Sequence, residues 1–103
     1  MALLREYKEI AYQWGIWKTE ESPEELLALL PDPERYEQQL TLFSSPHRKL
    51  EWLSVRVLLY QLLGEEKTIE YAPSGKPHLA DSSYFISISH TRGYVAVILS
   101  AVS

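Results

Sequence analysis

Residues 84–100, YFISISHTRGYVAVILS, constrain the fold more than any other stretch of the chain. The runs Tyr84–Ser89 and Tyr94–Ser100 are rich in branched and aromatic residues alternating with small ones, the pattern of half-buried strands, and they pair as a hairpin. A hairpin that only reverses direction favours a two-residue Asn-Gly or Asp-Gly turn. Here the polar corner Ser89-His90-Thr91-Arg92-Gly93 gathers two hydroxyls, an imidazole and a guanidinium, groups suited to holding an anion.

Upstream of the hairpin the periodicity changes. Glu9–Trp17 reads as a strand, being aromatic, branched and partly alternating. Ser22-Pro23-Glu24-Glu25 has the chemistry of a helix start: an N-cap hydroxyl, proline in the first turn and acids at the positive end of the helix dipole. That helix runs through Leu30 and is stopped by Pro31, and a second starts at Asp32-Pro33-Glu34 and reaches about Phe43. Ser45-Pro46 restarts the pattern, and His47–Leu63 is the longest periodic segment, apolar over a wide face and closed by Gly64. Thr68–Tyr71 reads as a short strand and residues 72–81 as a loop. The fold expected is α+β, a β-α-α-α-β-β unit.

A chain of 103 residues is the length of one small domain, so residues 1–103 are read as a single one. Apolar residues make up 46% and charged residues 23%, ordinary for a globular protein. Without cysteine there is no disulfide, thiolate metal site or cysteine nucleophile, which suits a reducing compartment. Charges lie too early in the N-terminal stretch for a secretory core, and no apolar run nears the roughly 18 residues of a membrane span, so a cytoplasmic location with no membrane partner is expected.

The net charge of −4 is unevenly placed. Residues 1–47 hold nine acids against four Lys/Arg, and residues 48–103 six Lys/Arg against five acids, so the cations concentrate in the half that carries the polar corner. The same unevenness also suits a solvated acidic helix pair beside a neutral half. A nucleic-acid binder needs basic residues clustered without compensating acids, and is disfavoured.

His47, His78 and His90 match no metal-ligand spacing. Asp32-Pro33-Glu34 resembles a paired-carboxylate motif, but its place at a helix N-terminus makes dipole compensation the simpler role. Ser89 and His90, adjacent on a strand, point to opposite faces and cannot form a Ser-His nucleophile pair. On the long helix Lys49 and Arg56 are seven apart and project within about 20° of each other, with Arg48 at the N-terminal edge. That makes a basic stripe, or a set of surface ion pairs around Glu51. Lys76, between Gly75 and Pro77, has its backbone fixed on both sides, although a solvated loop lysine remains open.

Gly75-Lys76-Pro77-His78-Leu79 followed by Phe85–Val97 resembles the first two motifs of the Sfp-type 4′-phosphopantetheinyl transferases, a G-K-P segment before an F-N-I-S-H-S-x-x-x-V-like strand and turn. The helix segment RKLEWLSVR, Arg48 to Arg56, is similar to the arginine-bearing helix that precedes them. The resemblance covers residues 45–100, with Ser87 where asparagine is usual and Thr91 for the common second serine. In the family this half continues into a V-G-I-D-I-E-like strand with the metal-binding carboxylates and later a W-x-x-K-E-A-x-x-K-like helix. Here Ala101-Val102-Ser103 stand where that strand begins, so the chain looks like the amino-terminal half of a pseudo-twofold enzyme, cut short or naturally short.

The resemblance implies transfer of the phosphopantetheine arm from coenzyme A to a serine of an acyl or peptidyl carrier protein, releasing 3′,5′-ADP. It implies Mg²⁺ in the complete enzyme, and assigns this half neither the metal ligands nor the base. By the motif match Lys76, Ser89 and His90 meet the coenzyme A phosphates, Arg48 and Arg56 add anion contacts, and Gly75, Pro77 and Thr91 shape the loop or lie near the nucleotide. A half of this kind is expected to be inactive alone, and to self-associate as a homodimer through an exposed strand at residues 94–99. Other readings are a non-catalytic interaction module derived from the fold, or a nucleotide-binding domain unrelated to carrier modification.

Overall fold

The structure, a computed structural model, describes residues 3–9 and 11–101. Ile10, inside the first strand expected from sequence, and Val102 and Ser103 lie outside the described residues. The elements in order are β1 (Leu3–Lys8), β2 (Tyr12–Lys18), α1 (Pro23–Ala28), α2 (Glu34–Leu40), α3 (Pro46–Leu63), β3 (Ile69–Tyr71), β4 (Pro77–Leu79), β5 (Phe85–Thr91) and β6 (Tyr94–Ser100). The class is α+β.

The helix starts form as their chemistry dictates. Ser22 accepts from the Glu25 amide while Glu25 reaches back to the Ser22 amide, a reciprocal capping box with Pro23 behind it. Ser45 caps α3 through the Arg48 amide, and Gly64 ends it in the left-handed region at φ 73°, its amide donating to the Tyr60 carbonyl.

All strands of the main sheet run antiparallel in the order β1-β2-β6-β5. What sequence offered as one strand is therefore the second arm of a hairpin with β1. The strand at 94–99 is no exposed edge either: β6 lies inside the sheet, bonded to β2 with Tyr12 opposite Ser100 and to β5 with Phe85 opposite Ser100. The open edges are β1 and β5.

The polar corner is also tighter than its composition suggests. β5 runs on through Thr91, opposite Tyr94, and only Arg92 and Gly93 form the turn, at φ 40° and 85°. Positive φ at both central residues is what lets a two-residue turn follow the twist of the strands. Ser89, His90 and Thr91 are consequently strand residues with alternating directions, not members of one loop.

Helices cover one face of the sheet. Trp17, Val95, Val97 and Leu99 meet Leu58, Leu59 and Leu62 of α3 there, and Leu26 and Leu30 from α1 and its end extend the same core. Gly15, in the middle of β2, lets α3 approach the sheet: a Cβ there would lie 2.7 Å from Leu58 Cδ1. The opposite face carries Tyr7, Tyr12, Tyr94, Phe85 and Ile98, all exposed, with Trp14 and Ile16 half-buried among them. β3 and β4 form a separate hairpin beside β5, and Pro77–Leu79, expected as loop, is its second strand. Among the described residues no helix is long and apolar enough to cross a membrane.

Candidate functional site

A cavity of about 420 Å³ opens where the N-terminal half of α3, the β3–β4 hairpin and β5 meet. α3 contributes Arg48, Glu51, Trp52, Val55 and Arg56, the hairpin Tyr71, Gly75 and Pro77, and β5 Ile88 and His90, with Phe43 at one end. The segments that carry the sequence motifs thus converge on one space.

Arg56 is its most constrained cation. Sequence put it on a basic surface stripe with Lys49, but the apolar face of α3 is wide enough to take it inside, and it is 6% exposed. Its guanidinium carbon lies 4.0 Å from the Trp52 ring centroid, and its two terminal nitrogens donate to the Trp52 carbonyl at 3.4 Å and the Tyr71 hydroxyl at 3.3 Å. Among the described residues no carboxylate pairs with it. Burial pulls its pKa below the usual guanidinium value, an effect the Tyr71 hydroxyl partly opposes. Trp52 is itself held edge-on by Tyr36 at 5.8 Å and tilted against Phe43 at 5.9 Å, so the platform under the guanidinium is fixed. Tyr36 is anchored through its hydroxyl to Glu66 at 2.5 Å, and burial followed by that bond raises its pKa.

Arg48 lies at the rim, exposed, with its guanidinium 5.9 Å from the Phe43 ring. Lys49, the expected companion of Arg56, does not line the cavity. His90 projects from β5 toward α3 and its Nδ1 is 2.8 Å from Glu51 Oε2, while His47 Nε2 is 3.3 Å from the same oxygen. His47, one turn before Glu51 on α3, thus shares that carboxylate with His90. Gly75, at φ 89°, closes the β3–β4 hairpin by donating to the Ala72 carbonyl at 2.7 Å, and the Ala72 amide donates to the Lys76 carbonyl at 2.9 Å.

The remaining motif residues lie elsewhere. Lys76 is exposed, makes no ion pair among the described residues, and borders a neighbouring depression of about 820 Å³ between β4 and β5 with Pro77, Ser82, Tyr84 and Ser87. Ser89 and Thr91 sit opposite Ala96 and Tyr94 on the far face of the sheet and line neither cavity. Glu51, Trp52, Tyr71 and Phe43 were not singled out from sequence. Trp52, one turn before Arg56, and Glu51, one turn after His47 and between the two arginines, carried the only local signal, a helical spacing of four.

No group of three or more His, Asp or Glu side chains among the described residues is arranged to hold a metal ion. Compared with protein families and with curated proteins, the chain matches no family model and no curated protein.

Proposed function

We propose that this chain is the coenzyme A-recognising half of a 4′-phosphopantetheinyl transferase. One observation carries the reading: a buried guanidinium, stacked and hydrogen-bonded in place, borders a cavity and, among the described residues, pairs with no carboxylate, Glu51 on the same wall being engaged by His90 and His47. Keeping an ion from water costs several kcal/mol unless charge and hydrogen bonds compensate. A phosphate would supply both, by charge-assisted bonds that Arg makes well. Arg48 and His90 at the same cavity, and the Gly75–Pro77 turn that walls it, are residues of the three motifs behind the family resemblance.

In the reaction the carrier serine oxygen bonds to the β-phosphorus of coenzyme A, its proton passes to a base that this half does not supply, the pyrophosphate P–O bond breaks, and 3′,5′-ADP leaves with the electron pair. Arg56, Arg48 and His90 contribute by holding phosphate oxygens, which fixes the nucleotide and offsets its charge. Lys76 is in reach of a ligand that extends from this cavity over the Gly75–Pro77 turn. The family's Mg²⁺ has no fitting ligand set among the described residues. The carrier protein, acyl or peptidyl, is the second substrate of the complete enzyme.

Calorimetric titration with coenzyme A and 3′,5′-ADP tests the reading. Arg56→Met keeps the stem and removes the charge, and is expected to weaken binding about tenfold or more, the worth of a hydrogen bond to a charged group. Thermal stability should hold or rise, because an unpaired ion leaves the interior. Lys49→Ala, outside the cavity, should bind as the parent does. Equal affinity of parent and Arg56→Met would refute the proposal.

A further inference from the structure

We propose that Glu51 is a positioning residue for His90, fixing the imidazole so that Nε2 is the nitrogen left for an anionic ligand. This rests on the reading of the cavity as a phosphate site. His90 stands on β5, an open edge of the sheet, and its side chain is 55% exposed. A ring exposed to that degree depends on its polar contacts for orientation. Its Nδ1 is nevertheless engaged, 2.8 Å from Glu51 Oε2, and Nε2 has no polar partner among the described residues. Glu51 is steadied in turn by His47 Nε2 at 3.3 Å and is the more buried of the three side chains. Among the described residues this close N–O approach is the polar side-chain contact between β5 and α3, and it bears on the rotation of the ring.

A carboxylate lining an anion site is unfavourable by charge alone, so orientation and repulsion predict opposite signs. Both imidazoles face the Glu51 carboxylate, and a ring whose Nδ1 is held toward it presents Nε2 on its other side. Orientation should dominate. Glu51→Ala then weakens coenzyme A binding about tenfold, the scale of one charge-assisted hydrogen bond. Glu51→Gln, whose amide oxygen can still accept from Nδ1, recovers part of the loss. Repulsion predicts that both variants bind more tightly than the parent, and that outcome overturns the proposal.

A double-mutant cycle isolates the pair. In a His90→Ala background, Glu51→Ala should cause no further loss; an undiminished tenfold loss there means that Glu51 acts some other way and refutes the positioning role. The ligand-free protein gives a second readout through the imidazole ¹⁵N resonances, assigned with His47→Ala and His90→Ala. The His90 Nδ1 signal should move in Glu51→Ala and return toward the parent position in Glu51→Gln, and an unmoved signal refutes the pairing. If the parent binds neither coenzyme A nor inorganic pyrophosphate, the phosphate-site reading fails and takes with it the role of Nε2. The ligand-free resonances still decide the Glu51–His90 contact, so the two failures are distinguishable.

Discussion

Gly15→Ala should destabilise the protein although it adds a single methyl group. Gly15 pairs with Glu6 on one side and Val97 on the other, and its face looks at α3. The new carbon would lie 2.7 Å from Leu58 Cδ1 and 3.3 Å from Leu62 Cδ2, against a carbon–carbon optimum of roughly 3.5–4.0 Å. Leu58 is fully buried and Leu62 nearly so, in an interior packed too densely to absorb a shift of that size freely. Overpacking of this kind costs about 1–3 kcal/mol. Opposing it, losing a glycine's unfolded-state freedom stabilises by about 0.5–1 kcal/mol. The net loss is about 1–2 kcal/mol, a fall in Tm of roughly 4–16 °C at 4–8 °C per kcal/mol. Urea or thermal unfolding followed by far-ultraviolet circular dichroism measures it. The cause is checked with Leu58→Ala, which makes room where the methyl group needs it: its cost should be smaller by about 1 kcal/mol in the Gly15→Ala protein than in the parent. A variant as stable as the parent, or strict additivity with Leu58→Ala, would refute the close-approach argument.

Lys67 clamps Glu65 and Asp81, which raises its pKa to about 12 and holds Asp81 well below the usual carboxylate range. The Asp81 contribution is present above its unfolded value of 3.8 and lost as pH falls below it, so acid unfolding of Asp81→Asn should be shallower than that of the parent between pH 4 and 2. The Lys67 contribution is complete below 10.5 and fades as pH rises through about 12. The 94–99 strand being internal, self-association is predicted instead at the outer face of the sheet, where Tyr7, Tyr12, Phe85, Tyr94 and Ile98 are exposed. Sedimentation equilibrium at micromolar concentration should exceed the 11.9 kDa monomer mass and revert to it in Ile98→Lys; a parent at monomer mass throughout refutes the dimer. With Mg²⁺, coenzyme A and a carrier protein, the purified chain should give no holo carrier by mass spectrometry, and turnover free of host enzyme would overturn the half-site reading.

What sequence made legible follows the range of the interactions involved. Ser22, Ser45 and Gly64 act within one turn of their own helix ends, so those boundaries were readable. β1 was not, because Arg5, Glu6 and Lys8 make an edge strand look like solvated chain until the partner strand is known. The central position of β6 depends on a pairing with β2 that no local pattern encodes. The turn misled through Arg92, whose positive φ is usually the province of Asn or Gly, so the polar corner seemed longer than it is. Spacing on α3 placed Arg56 correctly around the helix axis, yet only packing reveals that this direction is inward. His90 was found and its tether to Glu51 was not, since the two meet across elements 39 residues apart in sequence.

The place of β6 has a consequence for how the molecule comes into being. The hairpin β1–β2 leaves the ribosome before the rest of its sheet, and the neighbour that completes its hydrogen bonding arrives only with β6, Ser100 closing onto Tyr12. Until then the inner edge of β2 is bare and α3 has only half a sheet to lie on. The order of synthesis therefore opposes the order of the sheet, and vectorial folding from the N-terminus can proceed no further than helices resting on a two-stranded ribbon. During that interval β2, with Trp14, Ile16 and Trp17 in one short stretch, is the segment a nascent-chain chaperone should find.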